Sequence, residues 1–333
     1  MMKRRTTKLA LVALLVLAAA CVMIGCHVSF PGKSHSGPLP ALTDAESDLA
    51  KRLRVHVEKL AGEIGERHVW RPEALEASAA YIEAVFRESG HEPVSLPYDV
   101  QGIAVRNIEV TIPGTTKAKE VVVIGAHYDS VRGCPGANDN GTGTAAVLEM
   151  ARLLKDAKPA RTIRLVAFVN EEPPFFQSDA MGSRVYAKRC KQRGDDVVAM
   201  FTPETIGFYS DAKGSQRYPF PFNVVYPSSG NFVAFVGNTG SRSLIARSIK
   251  SFRGHAKFPS EGAAVPGSIE GVGWSDHWSF WQEGWSGFMV TDTAPFRYAH
   301  YHEATDTPDK IDYERTARVV MGLMRMARDL ANE

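Results

Sequence analysis

Residues 121–127 read VVVIGAH, and this run constrains the fold more than any other stretch. A strand with one wet face alternates apolar and polar residues; a continuous apolar run must be covered on both faces. Comparable short runs at 162–169, 197–201, 232–236 and 287–291 alternate with helical patterns at 141–156, 180–192, 241–252, 276–283 and 312–331. Upstream, Thr43-Asp44 reads as the cap of a helix running to about Glu63, and Glu73–Ser89 repeats apolar residues at helical spacing up to Gly90. Segments 94–100 and 104–112, either side of Gly102, read as a hairpin. Alternating strands and helices predict an α/β protein: a three-layer α/β/α sandwich with a mixed, mostly parallel central sheet. Residues 43–333 form a single domain in this reading, with 203–230 and 254–273 as long Pro- and Gly-rich surface loops.

The first 25 residues do not belong to that pattern. Lys3, Arg4, Arg5 and Lys8 precede the apolar stretch Leu9–Ile24, which is 16 residues long. A cationic start, a short apolar stretch and small residues before a cut mark an export signal, and the stretch is short for a bilayer-spanning helix. Gly25-Cys26 resembles the lipobox of bacterial lipoproteins, as does Ala19-Ala20-Cys21. Cys26 is preferred, because the polar sequence HVSFPGKSHSGPLP follows it and reads as a flexible tether over 26–42. The expectation is an exported protein, lipid-anchored to the bacterial cell envelope, with plain secretion as the alternative. Four of the 39 Lys and Arg residues fall in the signal, so against 37 acidic residues the remainder is slightly acidic. No basic face is left for a nucleic acid. Cys134 and Cys190 are the two cysteines of the body, and in an oxidising compartment they could pair.

Polar residues interrupt the pattern where the strands end. His127 and Asp129 follow the first buried run directly, in the place where open α/β sheets bind ligands. The His could hold a metal with its second ring nitrogen oriented by the acid, although such a pair also occurs as plain structure. Asp139, in GANDNGTG, opens a helix; it reads either as a capping residue or as a carboxylate kept ionised by the helix dipole. Glu171 and Glu172 sit side by side at the tip of the apolar strand RLVAFV, where their repulsion costs energy unless something positive is near. Glu204 follows another β-type run, and His302 lies on the loop before the last helix. Two imidazoles and three carboxylates without cysteine suit zinc in a catalytic site, with Glu171 left over as a base.

Taken together, AHYDS, GANDNGTGTAAVLE, NEEPP, the Met-Gly-Ser of 181–183, ETIGFYSD, SDHWSFW and HEATDTPDKIDYE resemble the bacterial leucyl aminopeptidase-like family of co-catalytic di-zinc exopeptidases. The resemblance runs from about residue 100 to 330. It implies two zinc ions per chain, one on Asp139, Glu172 and His302 and the other on His127, Asp139 and Glu204, with Asp139 shared. It implies further that Glu171 is the general acid/base, that Asp129 orients His127, and that the substrates are peptides with a free N-terminus. Glu204 stands where many relatives carry Asp, and Asn138 where many carry a second acid. Phe175, Phe176, Trp274 and Trp278 are candidates for a side-chain pocket, or for ordinary core packing. The runner-up is a glutaminyl cyclase, a single-zinc aminoacyltransferase that shares the fold and an acid–His pair like Asp276-His277. Such enzymes usually carry a Trp soon after the double Glu and another before the final His; here 173–190 has none, and Tyr301 precedes His302. A metal-free binding module would have lost ligands, and none is lost. The oligomeric state is not legible.

Overall fold

The computed structural model describes residues 27–333, so the export signal of 1–25 and the acylation site at Cys26 or Cys21 lie outside the described residues. Eight strands form one sheet: β1 (Val94–Val100), β2 (Ile103–Ile112), β3 (Lys117–His127), β4 (Arg161–Phe168), β5 (Asp196–Glu204), β6 (Val233–Asn238), β7 (Ser260–Val265) and β8 (Gly287–Thr291). Their spatial order is β1-β2-β4-β3-β5-β8-β6-β7. The central strands β4, β3, β5 and β8 are mutually parallel, while β2 and β6 run against them. The expected mixed sheet is therefore present, and its parallel centre sends four strand ends to one edge.

The run at 121–127 does what its composition requires. Val122, Ile124 and Ala126 join the larger apolar cluster on one face, whereas Val121 and Val123 join a second cluster on the other. The first face is covered by α1 (Asp44–Val57), α2 (Pro72–Glu88), α3 (Gly143–Leu154), α5 (Arg242–His255) and α7 (Tyr313–Asn332). The second is covered by α4 (Gly182–Arg193) and α6 (His277–Trp281), through Tyr186, Ala187, Cys190 and Phe280. Gly125 is the one break in the apolar run, and packing explains it. A Cβ there would come within 2.3 Å of the Phe168 ring, which lies beside the strand end carrying the two glutamates. Helix α1 starts as its sequence announces, with Glu46 N–H donating to Thr43 Oγ1 and Thr43 N–H donating back to the Glu46 carboxylate.

Two expectations need correction, and one open question is answered. Residues 254–273 are not all loop, because Ser260–Val265 pairs with β6 as the edge strand β7. The segment SEGAAV has a single β-branched residue and a partner on one side only, so it lacks an ordinary strand signal. The supposed tether is held down rather than free. Ser260 N–H donates to Ser34 Oγ, Arg253 Nη1 donates to the carbonyls of Phe30, Pro31 and Gly32, and His27 Nδ1 lies 2.7 Å from the Ala264 carbonyl. Phe30 fills the space above Gly262, where a side chain would collide with it. Each of these partners is more than 200 residues away in the chain, which local composition does not reveal. Finally, Cys134 and Cys190 are separate buried thiols. Cys190 belongs to the α4 layer, whereas Cys134 sits in the loop after β3 with Sγ facing Asp306.

Candidate metal centre

The parallel strand ends assemble the site. His127 is the last residue of β3, Glu204 the last of β5, and Glu171 and Glu172 follow β4 by three and four residues. Asp139 comes from the irregular turn Ala137–Thr142 that leads into α3, and His302 from the loop between β8 and α7. Asp139 lies between the two imidazoles. Its Oδ1 is 3.3 Å from His127 Nε2 and its Oδ2 is 3.1 Å from His302 Nε2. Glu204 Oε2 completes one side at 3.4 Å from His127 Nε2, and Glu172 Oε2 completes the other at 3.3 Å from His302 Nε2. The donor atoms of His127, Asp139 and Glu204 lie within 4.8 Å of one another, and so do those of Asp139, Glu172 and His302. A third grouping of His127, Glu171 and Glu172 meets the same limit, but Glu171 Oε2 stands farther off, 3.9 Å from His127 Nε2. The sequence-derived residues are thus brought together as two triads sharing one carboxylate. All are buried except His302, which is partly exposed.

This cluster is electrostatically unbalanced. Burial raises the Glu171 carboxyl well above its ordinary range, and the neighbouring charges of Glu172 and Glu204 push the same way. Glu172 is raised to about 7 by burial and by Asp139. Burial would lower His302, but its contacts with Asp139 and Glu172 outweigh that and raise it to about 10. His127, wholly buried, is likewise pulled up by Glu204 and Glu171 against its desolvation. Burial also opposes the charge on Asp139, yet the two imidazoles hold it well below the carboxylate range. The groups therefore draw in positive charge. Mixed imidazole and carboxylate donors with no thiolate fit zinc.

A frame of buried hydrogen bonds fixes these donors. Asp129 faces His127 as expected, with Oδ1 3.5 Å from Nδ1, although its main-chain carbonyl is closer at 3.2 Å. The Asp129 carboxylate accepts from the N–H groups of Glu171 and Glu172 at 3.1 and 3.2 Å, so it clamps the double-Glu turn as well. Asp306 accepts from the N–H groups of Asn138 and Asp139 and from the Tyr298 hydroxyl, at 2.9, 3.1 and 2.7 Å. Arg67 is fully buried and donates to the carbonyls of Leu60, Gly65, Tyr128, Pro135 and Gly136, bolting the loop that carries Asp129. Ser275 and Asn140 donate to Glu204 Oε2 at 2.7 and 3.2 Å. Sequence reasoning missed Asp306, Arg67, Ser275 and Asn140 as parts of the site. Asp306, four residues after His302, carried a weak signal, and Arg67 carried none. Asn170, Thr205, Thr293 and His302 all have positive φ, so three loops at this edge hold four non-glycine residues in the left-handed region.

The aromatic candidates divide. Phe176 and Trp274 line the cleft over the metal centre, with Tyr301 stacked on His302 at 3.9 Å between ring centroids. Phe175 is buried against Trp70, and Trp278 packs at Gly273 instead. Asp276 is buried beside the site with neither carboxylate oxygen hydrogen-bonded among the described residues. His277 turns away, its Nε2 2.8 Å from the Val272 carbonyl and its ring edge-on to Trp281.

Comparison with known proteins gives the chain a family and a fold. The sequence model of peptidase family M28 matches residues 107–327. YfbL of Escherichia coli K12 is 38% identical over 266 residues, covering 76% of this chain and 79% of its own. Among solved structures, BSAP, a zinc aminopeptidase from Bacillus subtilis, superposes with TM-score 0.69 at 16% identity, over 85% of this chain and 95% of that one. The Fimbriiglobus ruber glutaminyl cyclase superposes with TM-score 0.61 at 19% identity, over 90% and 99%. At such identities the two structures establish a shared fold alone.

The Asp306 frame makes a specific expectation. Asn in its place keeps the shape but offers only one acceptor oxygen to three donors, so the Asp139 turn loosens. Asp306→Asn should stay folded by circular dichroism while its Zn2+ affinity, read by competition with a chromogenic chelator, falls about 10- to 100-fold. Unchanged affinity would show that Asp306 does not position Asp139.

Proposed function

The chain belongs to peptidase family M28, and on that premise we propose that it is a zinc-dependent aminopeptidase that releases N-terminal residues from peptides. The observation that carries this reading is the pair of triads sharing Asp139, with Glu171 beside them and pointing into the same cleft. His127, Asp139 and Glu204 would hold one zinc ion, and Asp139, Glu172 and His302 the other. When bound, the two ions would polarise the scissile carbonyl and acidify the attacking water. Glu171 takes the proton of that water and returns it to the leaving amine, the double role of a general acid/base. Phe176, Trp274 and Tyr301 shield the cleft from bulk water. A single-zinc cyclase would leave one of the two triads without a cation.

The test is a panel of aminoacyl-chromophore, N-blocked and N-terminal Gln substrates, run with and without chelator. Free-amine substrates should be cleaved, blocked ones spared, and activity lost to chelator and restored by zinc. Turnover confined to N-terminal Gln would overturn the reading in favour of the cyclase. The adjacent glutamates should fail differently. Glu171→Gln should keep its metal and its KM but lose kcat by about 10²- to 10⁴-fold, because proton transfer belongs to the transition state. Glu172→Ala should lose metal as well as rate. Near-normal turnover in metal-loaded Glu171→Gln would defeat the mechanism.

We also propose that the protein is exported and anchored through lipid on Cys26, a reading supported by the sequence before His27. Cys26→Ser should abolish incorporation of labelled fatty acid and leave the signal uncleaved. If Cys21→Ser does so instead, the site is misassigned, and if neither does, the protein is not a lipoprotein.

A further inference from the structure

The metal cleft adjoins a second cavity, and the two share Glu204, Trp274 and Tyr301. The cavity floor is the sheet itself, and strand register says how it is laid out. Glu204 on β5 pairs with Thr291 on β8, Thr291 with Ala234 on β6, and Ala234 with Glu261 on β7. Paired residues of adjacent strands share a face. All four line the cavity, so they form one row from the metal centre to the sheet edge. Three strand spacings of ~4.8 Å place the ends of that row ~14 Å apart. A neighbouring row, Met289, Val236 and Ala263, lines the same cavity with apolar side chains. Between its two ends the floor is mainly apolar, with the Thr291 hydroxyl held by Thr205, and at each end stands a glutamate; the exposed Glu270 also lines the cavity.

Glu261 has no visible structural duty. It is half-buried, and its carboxylate makes no hydrogen bond or ion pair among the described residues. Along β7, Glu261, Ala263 and Val265 all line the cavity, while Phe30 lies against the alternate position Gly262. Period-two alternation thus turns the Glu261 side chain into the cavity. Arg253, whose charge reaches it, directs its own donors to the carbonyls of Ser260, Phe30, Pro31 and Gly32 and to Ser260 Oγ. Burial pushes the Glu261 carboxyl above its ordinary value, as expected of an acid that lacks a partner. A long cationic side chain would satisfy both features, since its methylene stem suits apolar walls and its head suits a carboxylate.

We propose that this cavity is a subsite for the substrate's N-terminal side chain and that Glu261 selects lysine or arginine there. The assignment rests on the aminopeptidase reading and adds the class of residue removed. Leucine or methionine would fill the apolar floor without reaching Glu261; lysine and arginine do both.

The experiment compares Lys-, Arg-, Leu- and norleucyl-chromophore substrates on the full-length protein and on Glu261→Gln. Lysine and norleucine differ chiefly in the terminal ammonium, so their ratio isolates the charge. The wild type should favour Lys over norleucine, and Glu261→Gln should lower kcat/KM for Lys and Arg about 10- to 100-fold while leaving Leu and norleucine within about twofold. Retained Leu turnover certifies that the variant is folded. As a measurement without any variant, L-lysinamide should inhibit the wild-type enzyme at lower concentration than L-norleucinamide. A Lys-to-norleucine ratio that Glu261→Gln leaves unchanged, with both substrates cleaved, overturns the subsite alone. If none of the aminoacyl substrates is cleaved, the aminopeptidase reading falls and the subsite with it.

Discussion

The structure depends on the cost of burying acids together. Asp139, Glu171, Glu172 and Glu204 are all inside the protein, around two imidazoles that cannot neutralise them. Carboxylates at this separation repel strongly where water is excluded, and the chain on its own can only raise proton affinities to relieve it. The raised proton affinities of Glu171, Glu172 and His302 are that relief. In the proposed reading, divalent ions shared through Asp139 would relieve that repulsion, and Glu171 would be the carboxylate left to move a proton.

Such a cluster would spread apart if its loops were soft, and the fold prevents that. Parallel β3, β4 and β5 fix the origins of His127, the double Glu and Glu204. The carboxylates of Asp129 and Asp306 grip main-chain N–H groups next to the donors, while Arg67 ties five carbonyls beneath them. Four non-glycine residues at positive φ aim the loops. Each carries a local cost that the surrounding hydrogen bonds offset.

What could be read in the sequence follows the range of the forces involved. The buried run at 121–127, the Thr43–Glu46 cap and the helix ending at Gly90 depend on near neighbours, and they fall where pattern places them. The donors were legible because polar residues at the tips of apolar strands stand out, and the resemblance supplied their pairing. Edge strand β7 was not legible, since small residues paired on one side show no strand period. Residues 27–40 looked like linker because their partners lie on β7 and α5, far along the chain. Arg67 could not be recognised either, since its guanidinium bonds only to main-chain carbonyls and no acidic partner marks it in sequence.

The central claim is that one carboxylate, Asp139, organises two cation sites. The most direct measurement is a crystal structure of zinc-loaded protein with anomalous data collected at the zinc edge, paired with elemental analysis of the same sample. The account predicts two zinc ions per chain, one against His127, Asp139 and Glu204 and one against Asp139, Glu172 and His302, with Glu171 bound to neither. A single ion per chain at full loading, or a zinc ligated by Glu171, would contradict it.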